Sequence, residues 1–263
     1  MDQNEIIRTA HALADAARGA VLPFFRSMGL TADDKRPDGT FDPVTEADRA
    51  VERAMRGVLA VRRPQDGILG EEFGQKAGSS GLTWVLDPID GTRAFLAGAP
   101  TWGVLIAVSD RAGPIYGLID QPYIGERFEG GFGRARVLGP MGEHVLAVRG
   151  DRALDQAILS TTFPEVGSPS EGAAFAEVAR KVKFARYGLD CYAYSLLAAG
   201  QIDLVIEAGL AAYDIQAPIA VIEAAGGIVT DWQGGPVHLG GRVVAAAGRQ
   251  QHEAALEILS RAG

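Results

Sequence analysis

The stretch Trp84-Val85-Leu86-Asp87-Pro88-Ile89-Asp90-Gly91-Thr92 places the tightest demand on the fold. Its apolar run predicts a strand, and that strand delivers Asp87 and Asp90 into a turn made by Gly91 and Thr92. Two carboxylates so close at a strand end repel each other, and unpaired desolvated charge is expensive. The fold must either leave the turn in water, where Asp, Pro and Gly are ordinary residues, or bring a cation between the acids. The local sequence leaves both readings open.

The rest of the chain narrows the setting. Its 263 residues suffice for one large domain or two modest ones, and 47% hydrophobic with 22% charged residues is a globular balance. Met1 to Thr9 carries Asp2 and Glu5 with no basic region, so no signal peptide is expected. No apolar run approaches the roughly eighteen residues of a membrane span. Cys191 is the single cysteine, which excludes an intrachain disulfide and fits a reducing, cytoplasmic compartment. A net charge of -8 argues against a general nucleic-acid or membrane-surface binder, whose affinity rests on clustered Lys and Arg. An acidic protein that handles phosphate must import positive charge locally, and metal ions do that.

Read in order, Glu5 to Met28 has amphipathic helical spacing, with Pro23 near its end. Thr31 to Pro43 reads as a long loop. Thr45 is then expected to cap a helix with Asp48 at its third position, which gives Asp48 a structural role of its own. Strands are expected at Thr101 to Val108 and Ile115 to Ile119, followed by a Gly-rich turn at Gly130 to Gly133. A boundary within Gly139 to Gly150 divides the chain into an N-terminal α+β half, residues 1–145, and a C-terminal α/β half, residues 146–263. In the second half, strands at Ala157 to Thr161, Lys183 to Tyr187, Asp203 to Glu207, Ile228 to Thr230 and Val243 to Ala246 alternate with helices. Those helices are expected to be capped by Ser170, Asp190 and Asp214, with a last one over Gln250 to Ile258.

Glu71, Asp87, Asp90 and Asp214 thus stand at element ends. Mg²⁺ prefers oxygen ligands and takes a few carboxylates plus substrate phosphate. His11, His144, His238 and His252 are isolated in sequence and offer no cluster for a softer metal. Gly70-Glu71-Glu72, the Trp84 to Thr92 stretch, and Tyr213-Asp214 followed by Glu223-Ala224-Ala225-Gly226-Gly227 together resemble the inositol monophosphatase superfamily. Tyr213 stands where that family commonly has Trp.

The resemblance implies a layered αβαβα sandwich of the Mg-dependent sugar-phosphatase type. It implies Glu71, Asp87 and the Ile89 carbonyl as ligands of one metal, and Asp87, Asp90 and Asp214 as ligands of a second. Glu71 would also help place a third, so two or three Mg²⁺ ions are expected. The Gly91 and Thr92 amides would meet the phosphate. Thr92 and Asp48 would form a hydrogen-bonded pair near the attacking water, so that Glu71, Thr92 and Asp48 form the catalytic set. Direct in-line attack by water follows, with no covalent phosphoenzyme. A homodimer is expected as well.

Arg186-Tyr187-Gly188-Leu189-Asp190-Cys191-Tyr192-Ala193-Tyr194 resembles the histidinol-phosphatase branch, and inositol-specific relatives usually have small neutral residues where this chain has Asp190. Inositol is a neutral polyol, whereas histidinol phosphate carries an ammonium group and an imidazole that can be cationic. Carboxylates at Asp190 and Glu207 suit such a leaving group, although Asp190 also reads as a plain helix cap. Arg186 is assigned to the phosphate end or to an acidic neighbour, and Tyr192 or Tyr194 to aromatic contact or to the core. The expected activity is histidinol-phosphate hydrolysis. Inositol-1-phosphate hydrolysis and a non-catalytic metal-binding regulator are the alternatives.

Overall fold

Alternation of side chains along the strands sorts the molecule into layers. In this computed structural model, which describes residues 2–28, 30–34 and 43–262, α1 (Gln3–Val21) buries Ile6, Ala10, Leu13, Ala17 and Val21 on one face. The helix stops before Pro23, earlier than the expected Met28, because proline has no N–H to continue the ladder. Two short strands, β1 (Ala32–Asp34) and β2 (Pro43–Thr45), pair antiparallel where an unbroken loop was expected; residues 35–42 of that segment lie outside the described residues. α2 (Glu46–Arg62) starts as expected, with Thr45 and Asp48 forming a reciprocal capping box.

The chain then builds β3 (Gly67–Gly70), β4 (Gly74–Lys76), β5 (Thr83–Asp90), the short α3 (Thr92–Ala97), β6 (Gly103–Ser109), β7 (Pro114–Gln121), β8 (Glu126–Gly131), β9 (Arg134–Gly139) and β10 (Gly142–Val145). These strands form one sheet in the order β10-β9-β8-β7-β6-β5-β3-β4. After it come β11 (Ile158–Thr161), α4 (Pro169–Ala179), β12 (Phe184–Tyr187), α5 (Tyr192–Ala198), β13 (Leu204–Ala211), α6 (Ala212–Ala224), β14 (Ile228–Thr230), β15 (Gly240–Ala246) and α7 (Arg249–Leu259). The second sheet runs β12-β11-β13-β15-β14.

Trp84 and Leu86 of β5 pack with α1 and α2, while Val85 between them joins the central cluster with α5 and α6. Val205 of β13 joins that same central cluster, and its neighbours Leu204 and Ile206 face α4 and α7. Helices, sheet, helices, sheet, helices is therefore the order of layers, the expected αβαβα sandwich.

Gly130 and Gly131 lie in β8, where a turn was expected. The reason is close packing: a Cβ at Gly117 or Gly130 would come within 2.4 Å of backbone atoms of α6. Glycine here lets a helix lie directly on the sheet. Three caps also differ from expectation. α4 is capped by Ser168, with Glu171 completing its box, and it ends at Ala179 where Val182 was expected. Asp214 is the third residue of α6, not its cap. Asp190 precedes the Cys191 cap of α5, has φ 48°, and its carboxylate accepts from the Thr101 hydroxyl.

Candidate active site

β5 runs parallel to β3 and antiparallel to β6, and its register on β6 shifts between Asp87 and Asp90. That irregularity turns both carboxylates toward the same end of the sheet. The Ile89 amide donates to Asp87 Oδ1 at 3.0 Å, and the chain leaves the strand through Gly91, whose φ is 82°. Glu71 follows β3, and its amide donates to the Leu86 carbonyl at 3.2 Å, which fixes it beside β5. Its carboxyl is in hydrogen-bonding contact with that of Asp87. Because α6 lies on the sheet, Asp214 comes to the same place from the other half of the chain; its Oδ2 accepts from the Ala211 amide at 2.7 Å.

Asp87, Asp90 and Asp214 each offer an oxygen within 4.8 Å of the others. Burial, then the charges of Glu71, Asp90 and Asp214, push the Asp87 carboxyl well above its ordinary range. Asp90 is raised in the same way, by burial and then by Asp190 and Asp214. Cys191 lies close, its amide donating to Asp90 Oδ2 at 2.7 Å, but burial pushes its thiol well up, so it stays a neutral donor. The remaining donors are all oxygen and mutually repulsive, a set that fits a hard divalent cation.

Asp48 and Thr92 do not form the expected pair. Both the amide and the hydroxyl of Thr45 donate to Asp48 Oδ2, at 2.8 Å and 2.6 Å, while the Thr92 hydroxyl donates to the Ile89 carbonyl at 3.1 Å. Helix capping accounts for the Asp48 contacts in this structure. Burial still raises its carboxyl, and the Glu72 charge adds to that.

Asp190 sits directly on the Gly91 turn. A Cβ at Gly91 would lie 2.8 Å from both Cβ and Cγ of Asp190, so this position needs glycine for space as well as for its φ. The Thr101 hydroxyl donates to Asp190 Oδ2 at 3.0 Å. Burial raises the Asp190 carboxyl, opposed by that hydrogen bond and by the Arg93 charge. Glu207, on β13, accepts from the Thr161 hydroxyl at 3.1 Å and from the amide and hydroxyl of Thr162 at 2.7 Å and 2.9 Å. Burial outweighs these bonds and, with the Asp190 charge, pushes it up to about 7.

The structure does not bring Arg186 into this group. It lies on the edge strand β12, its side chain exposed, and among the described residues no hydrogen bond or ion pair joins it to the carboxylates. Tyr192 points away too, its hydroxyl donating to Glu126 at 2.7 Å, whereas Tyr194 is a core residue of α5 within electrostatic reach of Glu207, Asp90 and Asp214. Thr101, Thr161, Thr162 and Arg93 were not legible as site residues. They come from separate segments, and only the packing of the two sheets assembles them.

Converging acids at strand ends, beside a glycine turn in an αβαβα sandwich, define the class: a metal-dependent phosphatase. The sequence model of the inositol monophosphatase family matches residues 2–263, and the chain belongs to that family. It is 43% identical over 260 residues to the bifunctional phosphatase IMPL2, chloroplastic, of Arabidopsis thaliana, covering 95% of this chain and 73% of that protein. It is 35% identical to the histidinol-phosphatase of Streptomyces coelicolor, with 96% of each chain covered. The solved inositol monophosphatase of Zymomonas mobilis superposes with a TM-score of 0.87 at 40% identity, covering 99% of both chains.

Proposed function

We propose that this phosphatase is Mg²⁺-dependent and converts L-histidinol phosphate and water into L-histidinol and phosphate. In this reading Glu71, Asp87, Asp90, Asp214 and the Ile89 carbonyl hold two or three Mg²⁺ ions. When bound, the cations supply Lewis acidity to the phosphoryl group and to the attacking water. The Gly91 and Thr92 amides orient the phosphate, and Glu71, with Thr92 and Asp48 nearby, serves the attacking water. The N-terminal half, residues 1–145, then carries most of the chemistry, and the C-terminal half, residues 146–263, supplies Asp214 and the choice of ester.

The observation that carries the reading is Asp190. Its carboxylate is held on the Gly91 turn and acts electrostatically on Glu207, and a pair of acids there would suit a cationic leaving group better than a neutral polyol. A relative named as a histidinol-phosphatase supports the same choice. Inositol-1-phosphate is the second reading, favoured by the likeness to the Zymomonas mobilis inositol monophosphatase. Phosphate release from both esters with Mg²⁺ separates the two. The expected kcat/KM favours histidinol phosphate by at least about tenfold, and a preference for the inositol ester would overturn the assignment. We also infer a homodimer working in the cytoplasm. No helix among the described residues is long and apolar enough to cross a membrane, and sedimentation equilibrium measures the oligomer.

A further inference from the structure

Arg93 follows directly on Gly91 and Thr92, and its guanidinium lies over an aromatic ring. Its Cζ stands 4.8 Å from the centroid of the Phe163 ring, and Arg93 is also the basic side chain whose charge acts on Asp190. Phe163 lies in the loop just beyond β11 of the other sheet. It follows Thr162, whose amide and hydroxyl hold Glu207, in the segment that leaves β11. Phe163 is 42% exposed, and the Arg93 guanidinium lies over one face of its ring. An aromatic face and a carboxylate that both act on one guanidinium can recognise planar, delocalised cations, by the quadrupole of the ring and by charge-assisted hydrogen bonds. Guanidinium is one such cation, and protonated imidazole is another.

We propose that Phe163, together with Asp190 and Glu207, is the platform for a planar cationic end of the leaving group, and that Arg93 occupies this platform until the ester enters. Both are then specificity-determining residues, one attractive and one a built-in competitor. This rests on the reading of Asp190 and Glu207 as leaving-group residues. It goes beyond it in naming the surface on which the ring of the leaving group lies and the side chain that must yield.

The test uses the full chain with Mg²⁺, comparing Phe163→Leu, Phe163→Tyr and Arg93→Met with wild type. KM is measured for histidinol phosphate and inositol-1-phosphate, and binding of L-histidinol alone by calorimetry. Phe163→Leu is expected to raise KM for histidinol phosphate about tenfold, with kcat and the inositol-phosphate KM within about twofold, as loss of one partly desolvated cation–π contact predicts. Phe163→Tyr keeps the ring and restores the wild-type value. Arg93→Met is expected to lower the histidinol-phosphate KM and tighten L-histidinol binding. Equal weakening of both esters by Phe163→Leu, or weaker binding of both by Arg93→Met, would overturn the inference. If the wild type prefers inositol phosphate but still binds L-histidinol in a Phe163-dependent way, the substrate assignment falls and this inference stands. If histidinol phosphate is preferred and Phe163→Leu changes nothing, the reverse holds.

Discussion

Two groups of buried carboxylates sit on the eight-stranded sheet and are treated in opposite ways. Glu129 and Asp120 are fully buried, and each is met by the chain's own cations: Glu129 by Arg136, with the His11 ring and the Tyr116 hydroxyl as further partners, and Asp120 by Arg18 and Arg127. Burial pushes the Glu129 carboxyl up, but hydrogen bonds from His11, Tyr116 and Arg136 together outweigh it and hold it down at about 2. Asp87 is almost as buried, at 2% exposure, yet the groups acting on it are Glu71, Asp90 and Asp214, and its carboxyl is pushed the other way. A buried acid matched from within serves the fold; one left among other acids selects a cation from outside.

The strongest way to break this comparison is to remove a charge from each group. Asp87→Asn is expected to cost about a thousandfold or more in Mg²⁺-dependent phosphate release, the scale of losing a metal that carries the chemistry. The same variant without metal is expected to melt no lower than wild type, because one of several repelling charges is gone. Glu129→Ala behaves inversely. It strands Arg136 and Tyr116, and breaking a buried, paired carboxylate this way costs roughly 3–5 kcal/mol in urea unfolding. Mg²⁺ does not restore that loss.

A smaller effect sharpens the same contrast. Mg²⁺ at about a hundred times its Kd should stabilise the wild type by about 2.7 kcal/mol, since binding to the folded state alone shifts unfolding by mass action. Differential scanning calorimetry with and without the ion reads this directly. The gain should vanish in Asp214→Asn and survive in Glu129→Gln. Equal gains in both variants would mean the ion binds elsewhere.

The two groups also differ in how far they could be read from the sequence. Asp87 and Asp90 announce themselves because they are close in the chain and end an apolar run. Glu129 and Asp120 do not, since their partners His11, Arg18 and Arg136 lie on a distant helix and a neighbouring strand. The same limit explains the glycines at 117 and 130. Their local signal is a turn, and their actual role, making room for α6, exists only once a helix from the far end of the chain lies on the sheet. β9 was not expected and β10 fell within the boundary region, because neither has a clean alternation: β9 is mostly half-exposed and β10 exposed throughout, at the edge of the sheet. Asp190 read as a leaving-group acid with a helix cap as the alternative, because spacing sees only the chain direction; that it packs against Gly91, from a backbone φ of 48°, shows only in the fold.

Glu207 belongs to neither group cleanly, and its pH dependence tests where the line falls. It is held by three hydrogen bonds, as Glu129 is, but by neutral donors, and its carboxyl rises from 4.5 to about 7. The folded protein therefore keeps a proton there that the unfolded chain has released. Its contribution is intact below 4.5 and is lost as pH climbs toward about 7. For Glu129, lowered to about 2, the sign reverses: stability is present above 4.5 and is lost as pH falls through about 2. Glu207→Gln should thus flatten the neutral side of a stability profile measured in urea, leaving the variant about 1 kcal/mol more stable than wild type at pH near 8. Glu129→Gln should flatten the acid side only. If Glu207→Gln instead loses stability at high pH, neutral threonine donors alone are enough to hold a buried charge, and an acid left without a cation would no longer mark a site built for one.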